Sequence, residues 1–508
     1  MMKKYLSYFF MCLGLGLMVL ACSKDDDKPS ESNSPTIESF SPELGVENTL
    51  VTITGTNFAT TTSGNLVKFN GVTAVVTSAS ATQIITSVPN GATTGKITVK
   101  VGDNTATSTK DFTVTEIINI ELDKSTLELF TFESETLVLT GAGDNTVEWS
   151  SDDETVLTVD ENGKVTAVGA GSATITAKVM ENSATCTVTV NPNVYAAGSK
   201  DDYNAICWKN GEPVELTDGS TESRASSVFV SEEGDVFIGG RIWDNGNGKY
   251  VGMVWKNGEE LYSIDDAFDV SVSSIFVDSN GDVFTAGYME DENSDKHALI
   301  TKNGTQLYLN ENESEAYDLW VDGDVIYTGT EKDTDTNRDV AKVWSNGGEL
   351  YSMKGDTEGI HADTYARSID VYGNDDVYVA GYSSFTEIEE QIGFIWKNGQ
   401  EIYSLFEGGL ANKFYSMAIN GETGDIYTTG LASGIGKVWE NGQEYYTFNE
   451  GNGTSYGRSV FGFQSDLYVG GSEFNGNIKE GKVYKNNELI YKFSGDNGSA
   501  EVNSIFVK

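Results

Sequence analysis

Histidine is almost missing from this chain: His297 and His361 are the only two in 508 residues. That excludes a multi-histidine zinc centre and most nucleophile–histidine triads. Cysteine is scarce as well, with four residues. No disulfide framework is needed, because a chain of this length can bury adequate cores without one. Cys12 lies in the N-terminal apolar run and Cys22 just beyond it. Cys186 and Cys207 fall in different expected domains, so two small buried thiols are the simpler reading, with an inter-domain bridge as the alternative. Basic residues are few, 33 against 77 acids, for a net charge of −44. Such a surface repels phosphate backbones and argues against nucleic acid as a partner. The acids sit mostly in turns, as in Asp278-Ser-Asn-Gly-Asp282, where they serve solubility. Long apolar runs are missing except near the start, from about Tyr5 to Leu20 behind Lys3 and Lys4. That run is short for a membrane span and reads as a secretory signal over residues 1–21. Walker and dinucleotide fingerprints and the Asp boxes of sialidase propellers are also missing.

What is present in abundance is repetition. A unit of about 45 residues recurs seven times in roughly the last 315 residues, with the seventh copy split between the two ends of the region. Each unit carries an apolar run behind Ser, such as Ser227-Val-Phe-Val, Ser274-Ile-Phe-Val or Ser504-Ile-Phe-Val, with Asp318 in one copy. A second run ends in Gly, as in Val236-Phe-Ile-Gly-Gly240 and Val377-Tyr-Val-Ala-Gly381. A third mark is a turn, as in Trp255-Lys-Asn-Gly, Trp396-Lys-Asn-Gly and Trp439-Glu-Asn-Gly. Asn-Gly between apolar runs signals a hairpin, because a type I′ turn needs φ > 0 at both central residues. A short strand such as Glu260-Leu-Tyr-Ser follows each turn. The unit therefore has four strands, A (Ser-Ile-Phe-Val), B (ending in Gly), C (ending in Trp-Lys-Asn-Gly) and D (Leu-Tyr-Ser).

Four short strands per 45 residues predict a β-propeller. Residues 192–508 begin with strands B, C and D and end on a lone strand A, Ser504 to Val507. Those pieces complete one blade of a closed seven-bladed ring, whereas a linear solenoid would leave an unpaired edge. The expected fold class is all-β: two Ig-like sandwiches, then a seven-bladed propeller closed by its C-terminal strand. The B–C and D–A connections vary most in length and emerge on one face, where recognition is expected.

The front half resembles known modules. Val19-Leu-Ala-Cys22 is similar to the lipobox of bacterial lipoproteins, which implies lipidation of Cys22 as the mature N-terminus; a plain signal peptide is the alternative. Ser23-Lys-Asp-Asp-Asp27 resembles the tract after the lipid cysteine in surface lipoproteins of Bacteroidota, which implies a lipid anchor in the outer membrane, displayed at the cell surface. Residues 22–34 read as flexible linker. Residues 35–115 resemble an IPT/TIG Ig-like domain, through Pro35-Thr-Ile-Glu-Ser-Phe-Ser-Pro42, Val51-Thr-Ile-Thr-Gly-Thr-Asn-Phe58 and Val67-Lys-Phe-Asn-Gly-Val-Thr-Ala74. Residues 117–191 resemble a bacterial Ig-like domain of group 2, through Trp149-Ser-Ser-Asp152 and Gly163-Lys-Val-Thr-Ala-Val-Gly-Ala-Gly-Ser-Ala-Thr-Ile-Thr176. Both imply extracellular spacers.

Candidate sites come from aligning the copies. The residue before each strand-A Ser is Ser226, Ser273, Tyr317, Arg367, Tyr415, Arg458 or Asn503, expected at the mouth of the ring. Arg offers a planar fork for carboxylates and Tyr a stacking face for sugars; the alternative is that each Arg pairs with a neighbouring acid. Loop aromatics expected on the same face, Trp243, Tyr250, Tyr288, Tyr365, Phe385, Tyr456 and Phe474, form a second set. Trp255, Trp344, Trp396 and Trp439 recur at one strand position and belong to the core. Asp333, Asp335, Asn337 and Asp339 alternate like the start of a Ca²⁺ loop, but Arg338 stands where that loop needs Gly, so a solvated hairpin competes with calcium. No other cofactor is expected. The module order resembles accessory binding lipoproteins of Bacteroidota, which implies a non-catalytic binder of polysaccharide or a surface protein. A structural or adhesive envelope protein, and a polysaccharide hydrolase or lyase using mouth carboxylates, are the competing readings.

Overall fold

The computed structural model describes residues 34–115, 118–201, 203–266, 268–354, 362–373, 375–385, 389–406, 411–448, 453–476 and 478–508. The N-terminal apolar run, Cys22 and His361 lie outside these residues. The fold is all-β, in two compact units divided after Asn119.

In the first unit, strands alternate in and out. Leu50–Thr56 buries Val51, Ile53 and Gly55 and turns the residues between them outward. Period-two alternation of this kind lets one strand face a core and water at once. Strands Thr36–Ser41, Leu50–Thr56, Gln83–Ser87 and Val76–Ala79 form one sheet, and Leu44–Gly45, Asn104–Val114, Gly95–Val101, Leu66–Phe69 and Val72–Ala74 the other. Between them lie Val51, Ile53, Phe69, Ile84, Ile97, Val99 and Phe112.

The second unit opens with another small sandwich. Thr126–Phe130 runs parallel to Asn182–Asn191, which continues into Gly171–Val179 and Glu148–Ser151. Its core includes Leu137, Leu157, Val165, Ile175 and Cys186. Beyond it stand seven four-stranded antiparallel sheets. Six follow chain order A-B-C-D, beginning Ser223–Val230, Val236–Asp244, Lys249–Lys256, Glu259–Ile264. The seventh joins Glu212–Glu215, Asn204–Lys209 and Val194–Lys200 to the C-terminal Ala500–Val507. Strands A touch one another in sequence all round, and the last, Ala500–Val507, touches the first, Ser223–Val230. The ring is closed and its sheets form the propeller.

Three sequence marks acquire physical causes here. The turn Asn adopts φ near +50°, as at Asn257 and Asn398, and the following Gly is also positive. The Asn side chain then works twice: Asn257 Oδ1 accepts the Val236 N–H at 2.8 Å and its Nδ2 donates to Asp235 at 2.7 Å. Asn398 does the same with Val377 and Asp376. Trp255 and Trp439 are buried between blades. The recurrent Ser forms a belt. Val228 N–H donates to Ser504 Oγ at 3.3 Å, Ile275 to Ser227 at 3.2 Å, Met417 to Ser368 at 3.2 Å, Val460 to Ser416 at 3.1 Å and Ile505 to Ser459 at 3.1 Å. Each bond ties one blade's inner strand to the next. Asp318 takes the place of Ser and accepts the Ile369 N–H at 3.0 Å.

Asn193 fastens the small sandwich to the ring. Fully buried, it donates through Nδ2 to the Thr131 carbonyl at 2.7 Å, and its N–H donates to the carbonyl of Lys508 at 2.7 Å. Thr131 Oγ1 also donates to that carbonyl, at 2.5 Å. The strand that closes the ring is thus held by the domain that precedes it.

Candidate functional site at the channel mouth

All seven strands A carry a β-bulge at one place. The ladder register shifts between Ala225 and Ser227, Val272 and Ser274, Ala316 and Asp318, Ala366 and Ser368, Phe414 and Ser416, and Gly457 and Ser459. In the split blade the shift leaves out Asn503. The extra residues are Ser226, Ser273, Tyr317, Arg367, Tyr415, Arg458 and Asn503. A bulged residue is released from the ladder and re-aimed.

The strand-B glycine makes the bulge possible. A Cβ on Gly381 would lie 1.9 Å from the Tyr365 carbonyl oxygen, one on Gly240 2.0 Å from that of Arg224, and one on Gly198 1.8 Å from that of Glu501. The same collision recurs at Gly287, Gly329, Gly430 and Gly471. The backbone crosses so closely at the bulge that no side chain fits.

The seven bulged side chains line one cavity of about 380 Å³, joined by Arg224, Arg241 and Ser271. They also form the upper wall of the channel beneath, about 430 Å³, which reaches down to Phe276, Trp320, Phe461 and Phe506. These rings, with Phe229, pack edge to edge at centroid distances of 4.7–5.8 Å. Asp370 and Ala418 interrupt that aromatic layer.

Tyr and Arg alternate on four consecutive blades. The Arg367 guanidinium lies 4.1 Å over Tyr317 and 5.5 Å from both Tyr365 and Tyr382, and it donates to the Tyr382 hydroxyl at 3.1 Å. Arg458 lies 4.9 Å over Tyr415 and 5.0 Å from Tyr456. Burial raises the Tyr317 and Tyr415 phenols, keeping them neutral. Neither Arg367 nor Arg458 forms an ion pair among the described residues, and the Nε of each is buried without a partner. The remaining wall is Arg224 and Arg241 with the small polar Ser226, Ser273, Ser271 and Asn503.

Two carboxylates are buried in the channel, Asp318, which the sequence shows as the copy without Ser, and Asp370, which it does not single out. Asp318 accepts from Ser274 Oγ at 2.8 Å, Ser368 Oγ at 3.1 Å, and the Ile369 and Leu319 N–H groups at 3.0 Å each. Asp370 accepts the Ile419 N–H at 3.0 Å and the Val371 N–H at 2.9 Å. Burial raises both; Asp370, which also feels Asp318, is pushed up to about 7. Aligning the copies finds both, since Asp318 replaces Ser and Asp370 replaces Phe or Trp.

The second aromatic set is corrected. Strands B and C run past the glycine and strands A begin ahead of the bulge, so these residues lie in strands, not loops. Phe385, at the end of Asp376–Phe385, is 1% exposed and offers no platform. Trp243 lies in Val236–Asp244 and packs edge-on against Tyr250 at 4.9 Å, away from the mouth cavity. Tyr365 donates to Asp339 Oδ2 at 2.9 Å. That bond also separates the calcium candidates. Asp333 folds onto its own turn, accepting the Asp335 and Thr336 N–H groups, and Asn337 N–H donates to the Asp333 carbonyl, while Asp339 faces Tyr365. No cluster of three acidic, His or Cys side chains suited to a metal occurs among the described residues. His297 lies in strand Lys296–Lys302, not a loop. Gly453-Thr-Ser455-Tyr-Gly457 spells a nucleophile-elbow pattern, yet Ser455 is fully buried in a strand and accepts the Gly436 N–H at 2.7 Å.

A larger cavity, about 780 Å³, lies at the other end of the channel and is lined by turn residues, including Asp235, Asp278, Lys256 and Lys302. Its charges are spent locally: Lys256 pairs with Asp235 at 2.7 Å, and Asp278 caps its own turn through the Asn280 and Asp282 N–H groups. None of its described lining residues is a buried polar group without a partner, so the mouth is the stronger site.

An all-β chain with Ig-like domains ahead of a propeller is the class these features define. Residues 35–114 match the IPT/TIG domain, and residues 128–190 match the bacterial Ig-like domain (group 2). No curated protein matches the chain. Among solved structures, a structural-genomics protein of unknown function from Bacteroides thetaiotaomicron is 10% identical, with 95% of this chain and 99% of that one covered at a TM-score of 0.30. A quinonprotein alcohol dehydrogenase-like protein from the same organism is 12% identical, covering 75% and 96% at 0.37. An auxiliary nutrient binding protein, also from that organism, is 13% identical, covering 79% and 96% at 0.17. At these TM-scores the likenesses carry nothing about ligand or reaction.

Proposed function

We propose that the chain is a lipid-anchored recognition protein, displayed on the outer membrane, whose propeller binds a ligand at the channel mouth without transforming it. The observation that carries this reading is the convergence of seven bulged side chains, one per blade, on one cavity. A rigid ring that aims one variable residue from every blade at a common point is suited to recognition. The non-catalytic part rests on the channel carboxylates. Asp318 accepts from two serines and two backbone N–H groups and Asp370 from two backbone N–H groups, so both serve to tie neighbouring blades together.

The anchor rests on Val19-Leu-Ala-Cys22 and the Lys–Asp tract behind it. No helix among the described residues is long and apolar enough to cross a membrane. Two experiments test the reading. Calorimetric and array screening of the full chain against glycans and surface proteins should give saturable binding that Arg367→Ala/Arg458→Ala abolishes; binding that survives this double change moves the site elsewhere. Labelled palmitate should enter the chain and be lost in Cys22→Ser; incorporation in that variant refutes the anchor.

A further inference from the structure

Arginine is distributed in a way that composition alone hides. The chain has Arg224, Arg241, Arg338, Arg367 and Arg458 and no others. Four of these five line the mouth cavity. A chain with 77 acidic residues has placed nearly all its guanidinium at one point.

Local ion pairing accounts for one of the four, Arg224. Arg224 and Arg241 are direct partners across the strand ladder, where like charges oppose each other and destabilise a sheet. Arg224 is relieved by Glu501 at 3.0 Å and donates to Asn503 at 2.9 Å. Arg241 lies 4.1 Å over Tyr250 and donates to Tyr288 at 3.3 Å. Arg367 and Arg458 lie over tyrosine faces, with Glu315 and Glu501 acting on them through space but neither in a direct ion pair among the described residues. Stacking on an aromatic ring holds a guanidinium in place while leaving its in-plane donors free. A guanidinium carries five N–H donors, and Arg367 commits one of them, to Tyr382. Structural ion pairing would have used the plentiful carboxylates, as the lysines do throughout the blades.

We infer that the mouth takes an anionic saccharide, its carboxylate or sulfate gripped by Arg367 and Arg458 and its hydroxyls turned to Ser226, Ser273, Ser271 and Asn503. This rests on the mouth being the ligand site. The guanidinium fork meets two oxygens at once on a planar carboxylate or a tetrahedral sulfate, and the charge-assisted bonds it makes are roughly twice as strong as neutral ones. The cavity of about 380 Å³ is of the size that holds a small ligand, a terminal sugar or two, and not an extended chain. The serine and asparagine wall supplies donors and acceptors of the kind polyols use.

The test is calorimetry on the full chain with three probes: trigalacturonate, its methyl ester, and a sulfated disaccharide of the chondroitin type. The ester keeps the shape and removes the charge. At least one acidic probe should bind about tenfold or more tighter than the ester. Arg367→Lys and Arg458→Lys, which keep the charge but lose the fork and its stacking, should each weaken it several-fold. The two acidic probes separate carboxylate from sulfate as the preferred group. Ser273→Phe, which fills the mouth without touching charge, should abolish binding, so that loss does not depend on how an Arg variant folds. Equal affinity for acid and ester, with binding still lost in Ser273→Phe, overturns the anionic ligand and leaves the mouth as a recognition site. Binding indifferent to Ser273→Phe, or no binding of any probe, overturns the inference; indifference removes the mouth as well.

Discussion

Asp370 offers a way to read the channel through stability. Its carboxyl is pushed up to about 7 because it is buried, with Asp318 adding repulsion, against an ordinary value of 3.8. The folded state therefore holds a proton that the unfolded chain releases. The sign follows from linkage: stability from this group is fully present below about pH 4 and is lost as pH rises through about 7. At about 1.4 kcal/mol per pH unit, the span from 3.8 to about 7 corresponds to at most about 4 kcal/mol. Water in the channel lowers this, so 1–4 kcal/mol is the working range, roughly. Asp370→Asn removes the titration. It also disturbs a site that accepts the Ile419 and Val371 N–H groups, a cost that does not vary with pH. The assay is denaturant unfolding of both proteins from pH 4 to pH 8. The stability of the variant relative to the native chain should rise by roughly 1–4 kcal/mol across that window. A difference that stays flat with pH would refute the reasoning, whatever its absolute size.

Three further outcomes follow from other parts of the ring. Ser368→Ala removes the acceptor for Met417 N–H and a donor to Asp318, and should cost about 1–3 kcal/mol by thermal or chemical unfolding, whereas Ser226→Ala, in the lumen, should change stability little. Gly381→Ala forces a Cβ against the Tyr365 carbonyl oxygen and should cost about 1–3 kcal/mol or more, displacing Arg367 with the bulge; a stable variant with unchanged ligand binding would contradict the crowding argument. Cys186 and Cys207 are free and buried, and burial raises both thiols, Cys207 to about 12. Neither should react with Ellman's reagent in the native chain and both should react in denaturant; a missing pair of thiols after denaturation would reveal a disulfide.

Much of the ring was legible because its signals are local. Asn-Gly announces a turn wherever it stands, since few residues tolerate φ > 0, and Asn257 and Asn398 bear the expected angles. Closure was legible from the order of strands at the two ends. The mouth residues were legible as a column, because the bulge falls at the same place in every copy. The loop aromatics were misread for the opposite reason: nothing in Trp243 or Phe385 says that strands B and C continue pairing past the glycine. The role of the strand-A serine was hidden, because its partner is a backbone N–H in the next blade, and backbone groups leave no mark in a sequence. Asn193 was hidden likewise, since its partners are Thr131 in the preceding domain and the C-terminal carbonyl of Lys508.

Adjacent positions in strand A divide the labour of holding and recognising. The residue after the bulge is Ser in six copies and Asp318 in the other, and it ties neighbouring blades together. The bulged residue itself is released from the ladder, so its identity costs the ring little. That explains why the belt is nearly uniform while the mouth reads Ser, Ser, Tyr, Arg, Tyr, Arg and Asn around the circle. It also explains why the glycine opposite is fixed: only its missing Cβ lets the backbone close on the bulge. The arrangement confines chemical variation to seven side chains at one cavity, on a frame whose hydrogen bonds do not depend on them. A mouth rich in arginine can therefore sit on an acidic scaffold: Glu501 pairs with Arg224, while Arg367 and Arg458 lie over tyrosine faces with no direct ion pair among the described residues.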